Sequence, residues 1–267
     1  MSADAATPNG MHAGRVLAQK PLRLFLVLGA FFITNAILAE FTGVKIFSLE
    51  RTLGLEPLSL RLFADDELSF NLTAGVLLWP VVFVMTDVIN EYFGQRGVRF
   101  LSFLAVGMIA YAFLAILGAM ALVPADFWIE RETEHGTLNM ERAFDAIFGQ
   151  GRLIIFGSIV AFLIGQLVDV LVFQAVKRRT GEKMIWLRAT GSTVVSQFID
   201  SFVVLLIAFH WGGPRWPLGL VLSIGLMNYA YKFIVAVLST PVVYAAHGII
   251  ERYLGDQAET LRREAMS

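Results

Sequence analysis

Along its hydrophobic and polar positions the chain is a series of long apolar runs divided by polar breaks. A helix rises about 1.5 Å per residue, so about 20 mostly apolar residues cross a hydrocarbon core about 30 Å thick. Six runs are long enough: Leu22 to Ala39, Thr73 to Phe93, Val98 to Val123, Leu153 to Val176, Ala189 to Trp211, and Leu218 to Ile249. They predict an all-α integral membrane protein of six transmembrane helices. Pro80 and Pro241 lie inside the second and sixth runs, where proline is expected to mark a kink. The sixth is long enough to be tilted or to run on past the membrane. The basic stretch before the first run resembles the start of a signal peptide. No small-residue cleavage site follows it, so the run is read as a retained first span.

The breaks differ in character. Glu40 to Asn71 is long and carries an acidic patch, Asp65 to Glu67. Pro124 to Arg152 is long, polar and acidic, with a surface helix predicted over Met140 to Phe148. Gly94 to Gly97 reads as a tight turn and Lys177 to Arg188 as a short basic loop. His210 to Pro217 carries Trp211 and Trp216, the kind of aromatic anchor found at a membrane interface. With the N-terminus in the cytoplasm, the cytoplasmic segments hold the larger share of Lys and Arg, and both acidic loops fall outside. The positive-inside rule then favours both termini in the cytoplasm, and an even helix count agrees with this. The chain divides into a cytoplasmic tail (1–21), a six-helix domain (22–250) and a second cytoplasmic tail (251–267). Ala115 and Ala119 form a small-xxx-small face that could seat a second copy in a homodimer.

Composition agrees. The 267 residues are 57% hydrophobic and 16% charged, where soluble domains run nearer 25% charged. The mean hydropathy is +0.67. The 21 basic residues nearly balance 22 acidic ones, which argues against a nucleic-acid partner. With no cysteine, disulfides, thiolate metal sites and thiol catalysis are excluded. The histidines are scattered and no metal or other cofactor is expected; His247 is placed as a cap on the last helix. No phosphate-binding loop, zinc-protease motif or nucleophile elbow occurs, so neither ATP hydrolysis nor enzyme chemistry is indicated.

The polar residues inside the runs are the candidate chemistry. A charge at the bilayer centre costs roughly 2.5–3.5 kcal/mol on insertion scales. The second run nevertheless holds Asp87, Asn90 and Glu91, the fourth Gln166, Asp169 and Gln174, the fifth Ser192, Ser196, Gln197 and Asp200, the sixth Asn228, Tyr231 and Lys232, and the first Asn35, with Glu40 at its outer end. Their spacings of three and four put each set on one helix face. Q-x-x-D recurs as Gln166/Asp169 and Gln197/Asp200, and a three-plus-three inverted repeat would match Asp87 with Asp200. Amides and hydroxyls often only join membrane helices. Three aspartates and Glu91 against Lys232 alone leave an excess of acid, which a proton, a cation or a donor-rich ligand would complete. Carboxylates beside amides, a lysine donor, and ring faces from Phe173, Phe198, Phe202, Tyr229 and Trp79 suit a guanine-like heterocycle.

Four segments, TDVINEYFG (Thr86 to Gly94), GQLVDVLVF (Gly165 to Phe173), STVVSQFIDSFVVLLIAF (Ser192 to Phe209) and NYAYKFIVAVLSTPVVY (Asn228 to Tyr244), occur in an order that resembles the queuosine precursor transporter family, also called the vitamin uptake transporter family. The first 70 residues and the acidic loop before Arg152 add nothing to the match. The resemblance implies uptake of 7-deazaguanine queuosine precursors across a bacterial inner membrane, for modification of transfer RNA. It implies a six-helix fold like the substrate-binding components of energy-coupling-factor vitamin transporters. It also implies substrate binding by Asp87, Glu91, Gln166, Asp169, Gln197, Asp200, Asn228 and Lys232. The first run has no clear A-x-x-x-A signature for docking an energy-coupling partner, which favours a solitary carrier. A substrate component for another vitamin, or an enzyme built on the acid cluster, are the alternatives.

Overall fold

The computed structural model describes residues 19–63, 68–134, 136–149, 152–180, 184–212 and 215–265. The expected acidic patch at 65–67 lies outside them. The fold is mostly helical. Its principal helices are α1 (Lys20–Thr42), α2 (Trp79–Met120), α3 (Met140–Phe148), α4 (Arg152–Thr180), α5 (Ile185–Leu205), α6 (Leu218–Leu238), α7 (Thr240–Leu254) and α8 (Gln257–Glu264). A π-turn, Leu206–His210, extends α5. Among the described residues five helices are long and apolar enough to cross a membrane: α1, α2, α4, α6, and α5 with its extension.

Two of the expected spans are joined in α2. Its 42 residues would reach about 63 Å if straight, twice the hydrocarbon thickness. Gly94 interrupts it at φ 67° and ψ −173°. Contacts with α1 show that the chain reverses there. Gly75, just before α2, packs against the Ala39 carbonyl near the end of α1. Phe93 meets Phe25 near the start of α1, with ring centroids 5.0 Å apart. Beyond Gly94, Leu101 packs on Gly29, and Phe113 returns to Phe41 at 5.3 Å. The first arm therefore runs antiparallel to α1 and the second parallel to it. Glycine suits the reversal twice over. Its φ is left-handed, and a Cβ there would lie 3.0 Å from the Ala265 carbonyl oxygen.

The prolines depart from expectation. Pro80 sits in the first turn of α2, where its missing N–H leaves no helical bond unmade, so it starts a helix and does not kink one. The long sixth run is two helices, α6 and α7, divided at Ser239, with Pro241 in the first turn of α7. A ring at that position cannot donate to the preceding turn. His247 does not cap a helix end. It is buried within α7, its Nδ1 3.1 Å from the Tyr92 hydroxyl.

The surface is the reverse of a soluble protein's. Phe31, Phe100, Phe103, Leu171, Phe198 and Ile234 are exposed, while Asp87, Asn90, Glu91, Gln166, Asp169 and Gln197 are buried. Phe32, Ile89, Tyr92 and Val98 fill the core between α1 and the two arms of α2. The α4–α5 pair is the most extensive helix contact. Gly165 of α4 lets the two approach, with Asp200 beside it.

Outside the helices, β1 (Ile46–Ser48) and β2 (Asn71–Thr73) pair antiparallel, with Phe47 opposite Leu72. Glu50 organises their loop. Its carboxylate accepts from the backbone N–H of Phe70 at 2.7 Å and from the Ser48 hydroxyl at 3.1 Å. Burial alone would raise its pKa, but these donors outweigh that and hold it below the ordinary value. On the other loop, β3 (Glu130–Thr133) and β4 (Gly136–Asn139) form a hairpin leading into α3, which covers the residues predicted for a surface helix.

Candidate functional site

One end of the helix bundle holds a cavity of about 420 Å³. This lies within the roughly 300–1,000 Å³ usual for small-molecule sites. The end of α1 contributes Glu40, α4 contributes Ser158 and Phe162, α5 Asp200, and α6 Asn228 and Lys232. Trp79, Phe209 and Trp216 supply aromatic walls, and residues 68–73 of the β1–β2 loop line it as well. Phe209 and Trp216 stack at 4.3 Å and 18°, held by the bond between the His210 ring and the Trp216 carbonyl.

A second, smaller cavity of about 30 Å³, room for little more than a water molecule, adjoins the first. Asp87, Thr193, Gln197, Tyr231 and Ser239 line it. Val76, Trp79 and Lys232 line both cavities and so form the partition between them. The Lys232 ammonium donates to Asp200 at 2.5 Å, and the two side chains are 17% and 23% exposed. A charge pair that still reaches a cavity can exchange partners with a ligand. A dry pair of this kind would be far costlier to open.

The remaining expected residues lie deeper and line neither cavity. Gln166 accepts from Thr86 at 3.2 Å. Asp169 accepts from the Ser196 hydroxyl at 3.2 Å. Glu91 pairs with Lys177 at 3.3 Å, both about 1% exposed, and Lys177 also donates to the Glu91 carbonyl at 3.0 Å. Gln174 donates to Asn90 at 2.6 Å and joins α4 to the first arm of α2. Asn35 bonds to the Phe31 carbonyl of its own helix. Three buried amide nitrogens, those of Asn90, Gln166 and Gln197, have no hydrogen-bond partner among the described residues.

Lys177 corrects the expectation drawn from the sequence. It is not part of a cytoplasmic loop but a buried residue of α4, so the bundle holds two lysines against its acids. The helix continues because the face that carries Gln166, Asp169 and Phe173 is still buried one turn on. Extending that stripe by four residues reaches Lys177. Glu40, expected at the outer end of the first run, is buried and lines the larger cavity. Of the expected ring faces, Trp79 lines both cavities. Phe198 and Phe202 pack against each other, and Phe198 meets Tyr229 edge-on. No cluster of three or more His, Asp or Glu able to hold a metal ion occurs among the described residues.

Known proteins resemble this chain along most of its length. The sequence model of a family described as "Putative vitamin uptake transporter" matches residues 73–246. A Bacillus subtilis (strain 168) protein named "Probable queuosine precursor transporter" is 32% identical over 184 residues, 68% of this chain and 75% of the relative. A Haemophilus influenzae protein of the same name is 24% identical, over 70% of this chain and 72% of the relative. The Escherichia coli (strain K12) "Queuosine precursor transporter" is 24% identical, over 72% and 80%. No solved structure matches the chain.

Proposed function

The chain belongs to the "Putative vitamin uptake transporter" family, and on that premise we propose that it carries 7-deazaguanine queuosine precursors inward across a bacterial inner membrane. The observation that carries this reading is the cavity of about 420 Å³ at one end of the bundle, walled by aromatic rings and by the Asp200–Lys232 pair. A flat heterocycle stacks on Trp79, Phe209 or Trp216. Its carbonyl accepts from Lys232, and its ring N–H and amino groups donate to Asp200 and to the Asn228 amide oxygen. Forming those bonds loosens Lys232 from Asp200. Asp87 and Gln197, across the partition, are the next polar groups on the path. The bare Gln197 amide nitrogen supports this order. Gln166 and Asp169 lie beyond, where the ligand passes toward the cytoplasm.

The orientation follows the same logic. The reversal of α2 at Gly94 supports six crossings, with each arm of α2 as one. Both termini then lie in the cytoplasm, and the larger cavity, at the end of α1 distant from Lys20, opens outward as uptake requires. Ala115 and Ala119 are exposed on the second arm, which leaves that face open to a second copy.

The test is rescue of a strain unable to make queuosine precursors. With low external precursor, the wild-type protein restores queuosine in transfer RNA. Asp200→Asn and Lys232→Ala abolish rescue while membrane insertion is unchanged. Each removes one partner of the charge pair that faces the ligand. Full rescue by both variants would sink the proposed site.

A further inference from the structure

We infer that Glu40 is a specificity-determining residue of the larger cavity and that it selects a substrate bearing a protonated amine. This rests on the deazapurine reading and narrows it. Among the described residues the charged side chains lining the cavity are Glu40, Asp200 and Lys232, two carboxylates and one ammonium. Lys232 neutralises Asp200 at 2.5 Å until a ligand competes for it. Glu40, at the end of α1, bonds to the Ser158 hydroxyl of α4 and feels the charge of Asp200. It is 9% exposed and lines the cavity.

Two carboxylates facing one space repel each other, and a hydroxyl does not cancel a charge. With a neutral heterocycle, only a proton taken up by one carboxyl relieves that repulsion. An ammonium on the heterocycle's substituent, seated between Glu40 and Asp200, removes it and brings the cavity to charge balance. The aromatic walls are the complement. Trp79, Phe209 and Trp216 hold the flat ring and offer π faces to a nearby cation. Glu40 therefore reads the substituent, while Lys232 and Asn228 read the ring.

Two probes of nearly equal size separate the two cases. One is 7-deazaguanine carrying a protonated aminomethyl group at its 7-position, and the other carries a neutral nitrile there. Binding of each to the purified full-length protein in lipid vesicles gives an affinity ratio. A charge-assisted hydrogen bond corresponds to roughly 10- to 100-fold in affinity, so the wild type favours the amine by about that ratio. Glu40→Gln, which keeps shape and the Ser158 partner, collapses the ratio by about tenfold or more. Glu40→Asp, which keeps the charge on a shorter arm, recovers part of it. Equal binding of the two probes by the wild type overturns the inference, as does an unchanged ratio in Glu40→Gln. Binding of neither probe overturns the deazapurine reading itself, and the inference with it. Glu40→Asp, with a ratio below that of the wild type, gives the same reading should Glu40→Gln fail to insert.

Discussion

Two ion pairs inside the helix bundle illustrate how the same chemistry serves different ends. Asp200 and Lys232 remain partly exposed on the wall of a cavity. Glu91 and Lys177 are sealed, and Lys177 also ties down the Glu91 carbonyl just before the Gly94 reversal. The second pair is structural by its geometry. Lys177→Met leaves Glu91 buried without its cation, which costs about 3–5 kcal/mol. The double variant Glu91→Gln with Lys177→Met recovers most of that, because no uncompensated charge remains. Thermal unfolding in detergent measures both, and a single variant as stable as wild type would contradict the assignment. Lys232 was legible from its i, i+4 spacing to Asn228 inside an apolar run. Lys177 was not, because Arg178 and Arg179 follow it directly and the three together look like a solvated loop.

At the scale of elements, small backbone features decide the path. Pro80 and Pro241 both fall inside apolar runs, and both stand in the first turn of a helix in the fold. Gly94 turns a 42-residue helix back on itself. Gly94→Ala puts alanine in a positive-φ, extended conformation that only glycine adopts readily, at about 1–3 kcal/mol, and presses its Cβ on Ala265. Gly107→Ala on the same helix meets nothing within 4 Å and leaves stability unchanged or slightly raised. Unfolding midpoints of the two variants measured side by side test this, with Gly94→Ala alone shifted down. The surface helix 140–148 was legible to the residue because Asn139 caps it and its apolar face repeats at helical spacing. The division of the long sixth run was not, since proline permits either a kink or a break.

The whole molecule is an inverted globule, with apolar side chains outward and a polar seam inside that widens into a cavity at one end. Its orientation is testable because the chain has no cysteine. Single cysteines at Gln19, Glu132 and Glu259, all exposed, report on both termini and the β3–β4 hairpin. In intact cells an impermeant maleimide labels Glu132→Cys, and it reaches the other two only after permeabilisation. Five crossings would instead put Gln19 and Glu259 on opposite sides. The amino-acid sequence by itself determined the membrane setting, the positions of the long helices, and the polar faces on four runs. Each of these follows from composition and from a period of about 3.6 residues. Only the tertiary structure decided which polar residues share a cavity, which seal one another off, and that Glu40 joins Asp200 and Lys232. Helical periodicity fixes the face on which a side chain lies. Which faces meet, and whether space remains between them, depends on contacts between distant residues that no local pattern encodes.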